Sequence, residues 1–134
     1  MRARRDEDPA GLPPVEIEDL VRARHAIDAG VHVDEAIHEC LVDVAMALRE
    51  DARVAQAAST RSLVLAVPAL QVRAVIEGRD FVSSEDLQVL LPFILAHRID
   101  AVAVSGADSL GLARELMAGP LEALARRTLR GPGR

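Results

Sequence analysis

Ile37, Leu41, Val44 and Leu48 recur at steps of three and four residues, the spacing that puts side chains on one face of an α-helix. The same step returns in Leu63, Val67, Leu70 and Ala74, and again in Leu87, Leu90, Leu91, Ile94 and Leu95. Stripes of this kind must be buried against one another. Aromatic side chains can contribute little to that burial, because the chain holds two Phe, no Trp and no Tyr. The core is therefore expected to be aliphatic. Strand-like residues are confined to Val31-His32-Val33 and to Asp80-Phe81-Val82, and each stretch is too short to stand as a sheet. The fold class that follows is all-α: a small bundle of four to five helices, with at most a minimal two-residue β bridge.

Boundaries can be placed from local chemistry. Residues 1–15 are charged and then rich in Gly and Pro (Gly11-Leu-Pro-Pro), which reads as a linker or a severed tail. A first helix runs from about Glu16 to Ala29, with an acidic start and Gly30 as its C-cap. Asp34 caps a second helix that reaches about Glu50. A third begins after Ser59-Thr60 and ends before Gly78, and Pro68 inside it should kink it or loosen one turn. A fourth starts at Ser83. Ser83 and Asp86 have capping-box spacing, in which each side chain satisfies a free N–H at the helix start. A last helical region, about Asp108 to Leu129, is expected to be interrupted by Gly119-Pro120. The domain is thus 16–129, and residues 130–134 form a disordered tail.

Charge and cysteine usage exclude several functions. Sixteen basic residues stand against 21 acidic ones, a net charge of −5, and every basic residue is Arg. A P-loop places a Lys on the phosphates, so a chain without Lys carries no Walker A motif and is no self-sufficient ATPase. The acidic balance speaks against nucleic acid as a partner. The short basic end at Arg126, Arg127 and Arg130 is too small to reverse that. Cys40, the single cysteine, can form no intrachain disulfide and fits a reducing compartment; beside the stripe of the second helix it reads as a small core residue. No apolar run approaches the length of a membrane span. Met1-Arg-Ala-Arg-Arg is followed by no signal-peptide core, so a cytoplasmic location is expected.

Few residues suggest chemistry on their own. His25, His32, His38 and His97 are the imidazoles. Asp34 and His38 have i,i+4 spacing, but no second ligand pair accompanies them, so a surface ion interaction is expected and no metal. His97-Arg98 suits a helix C-terminus or an interface with a neighbouring subunit. Arg79 follows the stop of the third helix, and Asp80, Glu85, Asp86 or another domain could pair with it. Ser59, Ser62 and the scattered His and Asp residues have no triad spacing.

From Ala57 to Ile99 the chain reads AASTRSLVLAVPALQVRAVIEGRDFVSSEDLQVLLPFILAHRI. Ser59-Thr60-Arg61, Gly78-Arg79-Asp80-Phe81-Val82, Ser83-Ser84-Glu85-Asp86 and Leu95-Ala96-His97-Arg98 follow one another in an order that resembles the helical lid domain of MoxR-family AAA+ ATPases. Val31-His32-Val33-Asp34 is similar to that family's lead into its second lid helix, so the resemblance spans roughly residues 16–127. The family usually has Gly where Ala57 stands and Pro where Thr60 stands, and Pro68 is unusual in it.

The resemblance implies a C-terminal AAA lid, with residues 1–15 a linker or truncated tail from an ATPase core that this chain lacks. It assigns Arg61 as the sensor-2 residue, the nucleotide-binding residue that reaches the γ-phosphate of ATP bound on that core. No catalytic residue, cofactor or metal is expected in this chain alone, and ATP and Mg belong to the full ATPase. The implied partners are the AAA+ core, neighbouring ring subunits and an unnamed protein client that is remodelled in chaperone-like fashion, with no nucleic acid and no membrane. Physical sense supports an Arg there. A guanidinium is a planar, permanently charged fork for phosphate oxygens, and a helix N-terminus attracts anions. Without the resemblance, Arg61 is a solvated Arg at a helix start. The alternative function is a freestanding helical protein–protein interaction module that keeps the lid fold.

Overall fold

A computed structural model of the chain describes residues 11, 13–56, 60–96, 100–101 and 108–130. What was expected of residues 1–10, of Ala57 to Ser59, of His97-Arg98 and of 131–134 lies outside the described residues. Among the described residues there are six helices: α1 (Ile17–Gly30), α2 (Glu35–Glu50), α3 (Thr60–Val64), α4 (Val67–Ile76), α5 (Ser84–Ala96) and α6 (Ser109–Arg130). The all-α class is as expected.

The second helix forms where its cap and stripe place it. The Asp34 carboxylate accepts the N–H of Ala36 at 2.8 Å and opens α2. Ile37, Cys40, Leu41, Val44, Ala45 and Leu48 are all buried along one side. They face α6, whose Ala113, Met117 and Leu124 are buried, and α6 in turn packs on α5 through Leu87, Leu91 and Leu95. This α2–α6–α5 centre contains no aromatic ring; Phe81 and Phe93 are both about half exposed. α3 lies on α2, α4 lies on α5, and α1 rests on α4.

The expected third helix is two helices. α3 stops at Val64, and α4 starts at Val67 with Pro68 in its first turn. A continuous helix would need the missing Pro68 N–H to reach the Val64 carbonyl, and the ring would clash with that carbonyl. In a first turn the missing N–H costs nothing, so the chain restarts there. The second proline break does not occur. α6 runs unbroken through Gly119 and Pro120. Burial of Ala113 and Met117 on one side of Pro120 and of Leu124 on the other keeps the two halves in one continuous helix.

Gly30 is not the expected cap. It lies inside the last turn of α1, and Val31, extended at φ −106 and ψ 113, ends the helix. Val31 leads directly into a parallel bridge between His32 and Phe81. There the His32 N–H donates to the Asp80 carbonyl at 2.7 Å and the Val82 N–H to the His32 carbonyl at 2.9 Å. This is the minimal bridge expected of the two β-like stretches. A second pair was not expected: β1 (Val54–Gln56) and β2 (Asp100–Ala101) run antiparallel, with Val54 opposite Ala101.

A left-handed glycine does close α4. Gly78 has φ +74; its N–H donates to the Val75 carbonyl at 2.9 Å and the Arg79 N–H to the Ala74 carbonyl at 2.8 Å, the pattern of a Schellman end. A Cβ would meet open space at both Gly78 and Gly30, so only backbone conformation separates the two positions. Gly78→Ala is expected to cost about 1 kcal/mol of unfolding free energy, whereas Gly30→Ala, at a helical position, should cost nothing or stabilise slightly. Urea unfolding of the two variants side by side checks the difference in sign.

Candidate functional site

The loop between α4 and α5 is built around one buried carboxylate. Asp86 has no exposed surface. Its Oδ2 accepts from Arg79 Nη1 at 2.8 Å and its Oδ1 from Arg79 Nη2 at 2.6 Å, a two-pronged pair. Oδ2 also accepts from the Ser83 N–H at 2.8 Å and from the Ser83 hydroxyl at 3.1 Å. Arg73 approaches from α4, with its Nε 3.2 Å from Oδ1, although this N–H has no aligned hydrogen-bond acceptor. Burial pushes the Asp86 carboxyl up, and the Arg79 and Ser83 hydrogen bonds outweigh it, so its pKa lies below the usual carboxylate value. The capping box is therefore only half formed. Asp86 caps the Ser83 N–H as expected, but the Ser83 hydroxyl donates to Asp86 and does not accept a backbone N–H. Arg79 also donates to the Phe81 carbonyl at 2.9 Å and lies 5.6 Å from the centre of the Phe81 ring. Of the partners open to Arg79, the structure selects Asp86, and the role is structural.

Arg61 lies in the short α3, which Leu63 anchors to the core with 2% exposure. Its side chain is exposed and makes no ion pair with a described residue. With five residues, α3 has little dipole to add, so the expected attraction of a long helix end for anions reduces to the guanidinium itself. The Arg61 carbonyl accepts from the Leu65 N–H at 3.0 Å, so Leu65 follows one helical turn later.

Leu65 opens the second feature, an apolar groove of about 950 Å³ between α1 and α4. Leu20 and Ile27 line one side; Leu65, Pro68, Val72 and Ile76 line the other. Arg24, His25, Asp28, Gln71 and Arg73 supply its polar positions. The groove is open because α1 carries no buried residue and rests on the bundle by partial contacts only. The sequence suggested the helix but not this looseness. A visible hint was its composition: Ile17, Leu20 and Val21 are its large apolar residues before Ile27, against six charged residues or imidazoles from Glu18 to Asp28.

The other candidates resolve simply. Asp34 is engaged as a cap and forms no ion pair with His38. Among the described residues no group of His, Cys, Asp and Glu could hold a metal ion. Cys40 is buried, and burial pushes its thiol up to about 11, with Asp43 adding to the effect. Arg126 pairs with Glu122 at 2.6 Å, and Arg127 pairs with Glu39 on α2. Arg53, which drew no attention in the sequence, joins Asp51 at 2.8 Å and Glu115 on α6 at 2.9 Å. No helix among the described residues is long and apolar enough to cross a membrane.

The chain is 28% identical over 108 residues to the uncharacterized protein YeaC of Bacillus subtilis (strain 168), an alignment covering 78% of this chain and 33% of that protein. The chain therefore spans about a third of the length of that relative. Residues 46–111, which run from α2 through α3, α4 and α5 to the start of α6, match the AAA lid domain family. The match and the helical bundle together support a helical AAA+ lid domain.

Proposed function

We propose that this chain is the lid of a MoxR-type AAA+ ATPase, closing on ATP and Mg held by a core domain and coupling hydrolysis to chaperone-like remodelling of a protein client in the cytoplasm. Arg61 is the sensor-2 residue in this proposal. The observation that carries it is the placement of Arg61: exposed at the first turn of α3, unpaired with any described residue, and one turn from the mouth of the α1–α4 groove. ATP and ADP differ in charge at the γ position, so a cation held there binds the two states unequally and can bias lid closure. The alignment with a protein about three times as long as the matched stretch leaves room for a core to which the lid attaches. The core and neighbouring ring subunits are accordingly its partners.

The test is nucleotide discrimination. In the core-bearing protein, Arg61→Gln should weaken ATP binding by about tenfold, the scale of one charge-assisted contact, and leave ADP binding unchanged. Equal effects on both nucleotides, or none, would return Arg61 to a solvated surface residue. The 134-residue chain alone should turn over no ATP.

A second function is favoured by the groove itself: a freestanding interaction module that binds protein through the apolar α1–α4 surface. It predicts that Arg61→Gln changes neither nucleotide affinity.

A further inference from the structure

α1 differs from every other long helix of the bundle in burying no residue, and its exposed apolar side chains form a stripe. Ile17 is 78% exposed, Leu20 60% and Val21 48%, at spacings of three and four residues. Leu20 also faces the groove, across from Val72 and Ile76, which are themselves exposed on α4. The charges of α1 are segregated along its length. Glu16, Glu18 and Asp19 stand at the start, and Arg22, Arg24 and His25 follow in the second half, with Asp28 beyond them.

We infer that the occupant of this surface is a second copy of the same chain, with the two α1 helices antiparallel across a twofold axis near Leu20 and Val21. Antiparallel order sets the acidic start of one helix against Arg22, Arg24 and His25 of the other, while parallel order opposes like charges. The twofold arrangement makes the surface self-complementary: each Leu20 enters the partner's Leu20–Val72–Ile76 surface, and each acidic end meets the partner's basic half. Asp28 lies past the paired stretch and faces no acidic residue of the partner helix in this register. The inference is independent of Arg61 and of the proposed ATPase.

Sedimentation velocity of the full chain over a concentration series tests it. The mass is expected to rise from 14.4 kDa toward twice that value. Leu20→Glu should weaken the association by at least about tenfold in Kd, the scale of losing one buried Leu. A matched pair of charge variants then reads the orientation. Arg22→Glu/Arg24→Glu and Glu18→Arg/Asp19→Arg should each remain single chains alone and associate when mixed. All four positions are on a helix with no fully buried residue and lie apart from Ile27, its one side chain packed against the core, so circular dichroism should show both variants folded. A mass that stays at one chain at every concentration, an association untouched by Leu20→Glu, or charge variants that fail to pair when mixed would each overturn the inference. A single-chain mass would leave the groove to another domain or to a different protein.

Discussion

Asp86→Ala is expected to lower the unfolding free energy by about 3 kcal/mol, a large part of the total for a domain of this size. The loss has several sources that act together. Arg79 would keep its charge, partly buried, with no carboxylate to receive its fork, and Arg73 would lose one of two ion-pair partners, keeping Glu77. The Ser83 N–H at the start of α5 would lose its cap. Asp86→Asn keeps the shape but turns an NH2 group toward guanidinium donors, so it should recover less than half of the loss. Replacing both Asp86 and Arg79 by apolar residues of similar size should cost less than the sum of the single changes, because neither charge is then left alone. The pH dependence has a definite sign. The folded-state pKa of Asp86 is depressed, so its contribution is complete above the unfolded carboxylate pKa of roughly 4 and fades as pH falls through the depressed folded value. The stability gap between the wild type and Asp86→Ala should therefore be constant near neutrality and close in acid. Urea titrations at several pH values measure it, and a gap that persists unchanged in acid would refute the ionic account.

Arg61→Ala is expected to lower kcat of the core-bearing ATPase by about a hundredfold at saturating ATP, the scale seen when one preorganised charge-stabilising donor is removed. The folded domain should be unaffected, because the side chain is exposed and pairs with no described residue. Melting temperature is thus the control that separates chemistry from folding. Arg61→Lys should retain part of the rate, since charge remains but the planar fork that spans two phosphate oxygens does not. Unchanged turnover in Arg61→Ala would end the sensor-2 assignment.

Much of this could be seen in the residues, for reasons that differ from place to place. α2 was readable because cap and stripe agree: Asp34 opens it, and Ile37, Leu41, Val44 and Leu48 share one buried face. The His32–Phe81 bridge was readable because two short extended stretches flank helices that must pack. The prolines were half readable. Pro68 splits its helix, while Pro120 is overridden by burial on both sides of it, and local sequence carries no measure of that burial. Asp86 showed its spacing to Ser83 but not its convergence with Arg73 and Arg79, which depends on how α4 and α5 pack. The β1–β2 pair joins short segments more than 40 residues apart with no alternation to announce them. Arg61 was legible as an exposed arginine at a helix start; the shortness of α3 was not, because it follows from Pro68.

The His32–Phe81 bridge has a mechanical consequence for α1. Since α1 buries no residue fully and meets the core through the partly buried Ile27, a twist applied to that helix has little packing through which to travel. Its firm anchorage is just after it: the buried Gln71 side chain donates to the Val31 carbonyl, and backbone hydrogen bonds run from His32 to Asp80 and from Val82 to His32. The backbone bonds grip the same few residues that carry Arg79 and lead into Ser83 and Asp86. α1 is thus a lever whose fulcrum is two peptide groups wide, and torque on it arrives first at the root of α5.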